Sequence, residues 1–109
     1  MIEFNDRCNI PAEFTGVCKI FYHNTIYHYK NGKCHNENGP AIIYKNGAKE
    51  WYIDGKYHRE DGPALEGLNN WKSFYYKDKC YGYANDFTNE TWIEKVKELK
   101  YLESLEIFK

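Results

Sequence analysis

The stretch HNENGPAIIYKNGAKEWYIDG, residues 35–55, is followed closely by HREDGPALEGLNNWKSFYYKD, residues 58–78. The two segments align at a constant offset, which carries Gly39-Pro40-Ala41 onto Gly62-Pro63-Ala64. Weaker matches extend the pattern backward to residue 16 and forward to residue 82. Such a period is typical of stacked repeats, in which each unit is stable only against its neighbours. The sequence therefore predicts about three 23-residue units, with a clear middle unit and degenerate outer ones.

Within a unit, the residue pattern predicts short antiparallel strands. Residues 41–45 are mostly β-branched or aromatic, and Asn46-Gly47 after them is a signal for a type I′ hairpin turn. Residues 49–53 form a second predicted strand, and residues 56–59 form a third after the turn at Asp54-Gly55. The predicted product is a mainly β fold, an antiparallel β-meander. Neighbouring units are expected to pack through two columns of residues, which are His28/Trp51/Phe74 and Tyr29/Tyr52/Tyr75.

The pattern changes at residue 86, where residues suited to a helix N-terminus begin. Apolar side chains at helical spacing (Trp92, Ile93, Val96 and Leu99) predict a helix from about residue 89 to at least residue 100. The following apolar positions, which run to Phe108, are spaced by threes and indicate a bend or a second short helix. We therefore expect one domain over residues 1–109, with a β-repeat region at 16–85 and a C-terminal helical cap at 86–109.

The composition is unusual in its aromatic content. The chain has 11 Tyr, 6 Phe and 3 Trp among 109 residues, more than so thin a repeat array can bury. Exposed aromatic side chains that lie together on a surface usually bind something. Lys and Arg number 15 and Asp and Glu 16, so no strong net charge favours nucleic acid or a membrane.

The N-terminal residues lack the basic start and apolar run of a signal peptide, and no stretch is apolar enough to cross a membrane. A cytoplasmic location is therefore expected, with Cys8, Cys18, Cys34 and Cys80 as reduced thiols.

No motif in the chain supports catalysis, a cofactor or a metal. His35 and His58 occupy the same register, but zinc needs three or four ligands at defined spacing. We expect each imidazole to bond backbone groups of the Gly-Pro turn that follows it. Cys34 and His35 are neighbours on a predicted strand and point to opposite faces, which argues against a nucleophile–base pair. The chain is therefore predicted not to be an enzyme.

The motif HREDGPA, preceded by WYIDGK, resembles a repeat found in small proteins of bacteriophages and giant viruses. Those proteins are regarded as distant relatives of MORN-type β-hairpin repeats. The match is close over residues 35–64 and recognisable over 16–82, and the DFTNETW segment resembles the short helical tails of such arrays. The resemblance implies a MORN-like β-meander of mobile-element origin, but no single biochemical activity.

Three functions remain open at this stage. The first is a phage-encoded protein-interaction module that inhibits a host protein, such as a bacterial defence effector of the CRISPR type. The predicted contact residues are Tyr29, Trp51, Tyr52, Arg59, Phe74, Tyr75 and Tyr76. The second is a nucleotide or single-stranded nucleic-acid binding module, in which aromatic rings stack on bases and basic side chains hold phosphates. Its candidate cations are Lys33, Lys49, Lys56, Arg59, Lys72 and Lys79. The third is a structural or scaffold component of a virion.

Overall fold

The computed structural model describes residues 1–21 and 23–106, so Phe108 lies outside the described residues. The second short helix considered for the stretch after residue 100 does not begin by residue 106, because one helix continues from Asn89 through Leu102 and Leu105 to Glu106. Over the described residues the chain is mainly β, with one C-terminal α-helix, as predicted. The elements in chain order are β1 (Ile2–Phe4), a 3-10 turn (Arg7–Asn9), β2 (Gly16–Ile20), β3 (Thr25–Lys30), β4 (Lys33–Cys34), β5 (Ile42–Ile43), β6 (Lys49–Glu50), β7 (Tyr52–Ile53), β8 (Lys56–Tyr57), β9 (Leu65–Glu66), β10 (Lys72–Tyr76), β11 (Lys79–Tyr83) and α1 (Asn89–Glu106).

Nine of the strands form one sheet in the order β1-β2-β3-β5-β6-β9-β10-β11, with β4 paired to the end of β3. Every pairing in this sheet is antiparallel except that of β1 with β2, which is parallel and was not expected from a meander. Strands β7 and β8 form a separate two-stranded ribbon. The strand predicted over residues 49–53 is therefore two strands, because the chain leaves the main sheet at Trp51.

Local geometry recurs along the chain at the spacing of the sequence repeat. Asn31, Asp54 and Lys77 are equivalent positions at that spacing, and their φ values are 51°, 50° and 49°. Several backbone hydrogen bonds also recur at the same offset. The bond from His28 N–H to Ala41 O corresponds to that from Trp51 N–H to Ala64 O. The bond from Ala41 N–H to Glu50 O corresponds to that from Ala64 N–H to Ser73 O. The bond from Gly55 N–H to Cys34 O corresponds to that from Asp78 N–H to Tyr57 O.

Both turns lie at the positions that the sequence predicts, but one of them is of a different type. At Asp54-Gly55 both residues have positive φ, 50° and 79°, which is the signature of the type I′ turn. At Asn46-Gly47 only the glycine has a positive φ, of 92°, and the Tyr44 N–H donates to Ala48 O. The type I′ prediction is therefore wrong at this site, where the loop has three residues and glycine takes the left-handed position.

The side chains are buried in two clusters. The first lies on β2 to β5 and contains buried residues such as Cys18, Ile20 and Tyr27. The second lies under the helix, where Trp92 and Val96 of α1 pack on Phe74 and Tyr76 of β10. The helix therefore covers one face of the terminal β10–β11 hairpin and leaves the other face open.

Candidate protein-interaction surface

Three of the seven residues predicted to contact a partner lie inside the protein. Tyr29, Phe74 and Tyr76 are only 9%, 1% and 5% exposed. Tyr29 belongs to the first core cluster, and α1 covers Phe74 and Tyr76. These three predictions are corrected here, because side chains that pack against the core present no surface to a partner in this fold.

Trp51 and Arg59, two further predicted contacts, are engaged with each other. The Arg59 guanidinium carbon lies 3.9 Å from the centre of the Trp51 ring, a cation–π contact. Arg59 also pairs with Asp61 at 2.8 Å and with Glu66 at 3.1 Å. Both side chains line an open groove of about 600 Å³ between the loop at residues 36–39 and the loop at residues 58–61. They are half-buried, and the charge of Arg59 is matched by carboxylates of the protein itself.

Tyr52 and Tyr75, the remaining predicted contacts, are half-buried and belong to one column of rings, in which Tyr52 also packs against the first core cluster. Tyr57 lies between them, with ring centres 4.4 Å from Tyr52 and 4.8 Å from Tyr75. The predicted column is thus interleaved by a residue from the third strand of the unit. We call Tyr52, Tyr57 and Tyr75 the tyrosine face.

The Glu50 carboxylate anchors one end of the tyrosine face. It accepts hydrogen bonds from the hydroxyls of Tyr52 at 2.7 Å, Tyr44 at 2.8 Å and Tyr57 at 3.1 Å. Burial raises the pKa of Tyr52 far above its ordinary value, and the hydrogen bonds with Tyr57 and Glu50 add to the effect. These hydroxyls are therefore protonated donors with a structural acceptor.

At its other end the tyrosine face continues into an exposed patch that sequence reasoning missed. Leu68, Trp71 and Tyr83 are 56%, 57% and 53% exposed, and the Trp71 and Tyr83 ring centres are 5.9 Å apart. Hydrogen bonding with Cys80 raises the pKa of Tyr83. Burial, followed by the charge of Cys80, raises the pKa of Tyr75, so Cys80 lies beside both phenols. We call Leu68, Trp71 and Tyr83 the aromatic patch.

The sequence did carry a signal for the aromatic patch. In the preceding unit the equivalent positions hold Lys45, Ala48 and Glu60. Between that unit and the last one, a polar or small residue is thus replaced by a large apolar or aromatic one at all three positions.

A β-bulge and one capped backbone group interrupt the edge strand β11. The β10–β11 register shifts between Phe74 and Tyr75, which is a β-bulge. The Tyr83 N–H donates to the Asp86 carboxylate at 2.8 Å and has no bond left to give to another strand. Bulges and capped edge groups discourage strand addition. Strand addition is therefore disfavoured at Tyr83, whose side chain remains exposed.

Three of the lysines proposed to hold phosphates lie close to carboxylates of the protein itself. Lys49 and Lys72 lie on either side of Glu66 in adjacent strands. Lys56 lines a groove together with Asp54, Glu60 and Glu103. Lys79 lies over the Tyr81 ring, and Lys33 packs beside Gly55.

The two equivalent histidines bond the backbone, but not in the turn that follows each of them. His35 Nδ1 accepts the N–H of Asp54 at 2.9 Å, and His58 Nδ1 accepts the N–H of Lys77 at 3.0 Å. The Gly-Pro prediction is corrected accordingly: each imidazole reaches the positive-φ turn 19 residues further on. Beside His35, burial raises the pKa of Cys34 and favours its thiol form.

In the described part of the chain, no group of three or more His, Cys, Asp or Glu side chains is placed to hold a metal ion. Within the same residues, α1 is too polar to serve as a membrane-spanning helix. Comparison with known proteins found no matching family model, no matching curated protein and no matching solved structure.

Proposed function

We propose that this chain is a non-enzymatic protein-interaction module, built as an array of about three 23-residue MORN-like units with a helical cap. The observation that carries the proposal is the aromatic patch with the adjoining tyrosine face. Trp and Tyr are the residues that most often dominate the energetics of protein interfaces, and here two of them are more than half exposed side by side.

The open face has the character of an interface. It is mostly aromatic, while α1 covers the opposite face of the same hairpin. The rings are also held in place before any partner arrives, because Tyr57 packs on two neighbours and Glu50 orients three hydroxyls. Such preorganisation lowers the entropic cost of binding.

The partner class rests on the resemblance of the repeat to phage and giant-virus proteins. A host protein, such as a bacterial defence effector of the CRISPR type, is the partner that this origin favours, and the host cytoplasm is the corresponding location. Binding that blocks such an effector requires no catalytic residue.

The test is capture of partners from bacterial lysate by the tagged protein and by two variants. Trp71→Ser with Tyr83→Ser removes the aromatic patch, and Phe21→Ser is the matched control. Phe21 is 68% exposed and lies in the turn between β2 and β3. We expect one stoichiometric protein to bind the wild type and the Phe21 variant and to be lost from the patch variant.

Salt separates this function from nucleic-acid binding. An aromatic protein interface changes little with ionic strength, whereas phosphate contacts weaken steeply. A partner that is retained by the patch variant would contradict the proposed surface. A nucleotide or nucleic acid in the eluate that is released by salt would contradict the proposed partner class.

A further inference from the structure

His58 links the central part of the sheet to the terminal hairpin. Its Nδ1 accepts the Lys77 N–H at 3.0 Å, and its Nε2 lies 3.0 Å from a Glu60 carboxylate oxygen. The ring packs on Tyr76 at 5.0 Å, and its side chain is only 13% exposed. A neutral imidazole with its proton on Nε2 satisfies both contacts, because Nε2–H donates to Glu60 and Nδ1 accepts from the backbone.

The charged groups around His58 come from several elements. One groove of about 580 Å³ is lined by His58 together with Asp54, Lys56, Glu60, Lys77, Lys100 and Glu103. A second groove that His58 lines also contains Glu37, Arg59 and Asp61. Two pairs bridge the sheet to α1: Glu60 with Lys100, and Lys77 with Glu103 at 2.8 Å. Burial raises the pKa of Glu60, but hydrogen bonds from Lys100 and His58 outweigh it, and the net shift is downward. The pKa of Glu103 is lowered by its hydrogen bonds with Lys77 and Tyr76. Both glutamates therefore stay ionised over the range in which histidines titrate.

Glu60 determines where a second proton on His58 must go. Because the ionised carboxylate keeps the proton on Nε2, the added proton binds Nδ1. The new Nδ1–H then points at the Lys77 N–H, so two donors face each other with no acceptor between them. The Lys77 ammonium, which is paired with Glu103 at 2.8 Å, supplies no acceptor for the new Nδ1–H. The bond that ties His58 to the β10–β11 turn is lost.

His35 provides a comparison within the same chain. Its Nδ1 accepts the Asp54 N–H at 2.9 Å, and its Nε2 lies 3.3 Å from Glu37. Here, however, an Asp54 carboxylate oxygen also lies 3.3 Å from Nδ1. That oxygen can accept the new Nδ1–H when the ring is protonated. The two turns differ in charge, because Asp54-Gly55 has its carboxylate beside the histidine Nδ1, whereas Lys77-Asp78 has an ammonium at the equivalent position. The Asp78 carboxylate is engaged elsewhere, where it accepts the Tyr57 N–H at 3.1 Å. Lys100 and Glu103 of α1 also line the groove with His58.

We propose that His58 makes the attachment of the β10–β11 turn acid-sensitive, while the equivalent attachment at His35 withstands acid. Mild acid then loosens Lys77-Asp78 and weakens the adjoining Lys77–Glu103 contact to α1. This regulatory property does not depend on the protein-binding proposal.

The test is amide hydrogen exchange at residues 54 and 77, compared between about pH 8 and about pH 5, where histidines change charge. Loss of a hydrogen bond worth about 1.4 kcal/mol predicts about a tenfold fall in the protection factor of Lys77. We expect Asp54 to change less than about twofold. An equal fall at both amides, or none at Lys77, would overturn the proposal.

Two variants identify the titrating group and the reason for the asymmetry. His58→Asn keeps an oxygen acceptor near the position of Nδ1 but cannot titrate, so the protection of Lys77 should not depend on pH. Lys77→Asp gives the turn the carboxylate found at residue 54, at a φ of 49° that Asp tolerates well. The amide of residue 77 should then keep its protection in acid. A tenfold fall in either variant would refute the corresponding step.

Discussion

The strongest structural prediction concerns Trp92, which fixes the helix to the sheet. Its side chain is fully buried, and its ring contacts Phe74, Phe87 and Tyr81 at centre distances of 5.4, 5.1 and 5.9 Å. Its Nε1–H donates to the carbonyl oxygen of Arg59 at 2.7 Å. The residue thus joins α1 both to the second core cluster and to the loop beside the groove.

The expected cost of Trp92→Ala follows from these contacts. A buried Trp removes about 150–250 Å² from water, which at about 25 cal/mol/Å² contributes about 4–6 kcal/mol. Measured truncations of buried aromatic residues cost about 3–5 kcal/mol. We therefore expect a loss of about 4 kcal/mol in the free energy of unfolding. Trp92→Phe keeps much of the ring packing but leaves the Arg59 carbonyl without its donor, so we expect about 1–3 kcal/mol.

Urea denaturation followed by circular dichroism measures both variants. The matched control is Ile93→Ala, because Ile93 is the next residue on the same helix and is 36% exposed. We expect this control to lose less than about 1 kcal/mol. If Trp92→Ala cost no more than Ile93→Ala, the packing of α1 on the β10–β11 hairpin would be refuted. Should Trp92→Ala fail to fold, the comparison of Trp92→Phe with Ile93→Ala decides the same point.

Three further perturbations test the turns and the tyrosine face. Gly32→Ala should destabilise the fold by several kcal/mol, because the new Cβ would lie 1.9 Å from the Ala12 carbonyl oxygen. Gly47→Ala has open space around the new Cβ and should cost only about 1 kcal/mol, for the positive φ at that position. Thermal melting that gives equal costs for the two variants would contradict this. Glu50→Ala leaves three hydroxyls without their acceptor and should cost about 2–4 kcal/mol in urea denaturation, while a value under about 1 kcal/mol would show that the hydroxyls find other partners. Because the pKa of Tyr52 is raised on folding, the stability it contributes is fully present below about pH 10 and is lost as the pH rises further; stability that did not change above that pH would contradict the buried phenol.

The sequence was sufficient to predict features that depend on neighbouring residues. The helix predicted from about residue 89 begins at Asn89, because apolar spacing and capping residues act within one or two turns. The positive φ at Asp54 and Gly55 likewise follows from residues that tolerate left-handed backbone. Such features need no knowledge of distant partners.

Contacts between distant parts of the chain could not be predicted in the same way. The sequence pattern around Phe74 and Tyr76 is equally consistent with an exposed aromatic surface and with a buried core. They are buried because α1 packs on them. The parallel pairing of β1 with β2 depends on a segment outside the repeat pattern. Arg59 was predicted to meet a partner or a phosphate, but its contacts within the fold are Trp51 and carboxylates of the same chain.

The most direct test of the proposed binding surface is site-specific photo-crosslinking in bacterial cells. A photoreactive phenylalanine replaces Tyr83, which is 53% exposed in the aromatic patch, or Phe21, which is 68% exposed at the β2–β3 turn. We expect one covalent adduct with one host protein from position 83 and none from position 21. Adducts from both positions, or from position 21 alone, would contradict the claim that the aromatic patch is where this protein meets its partner.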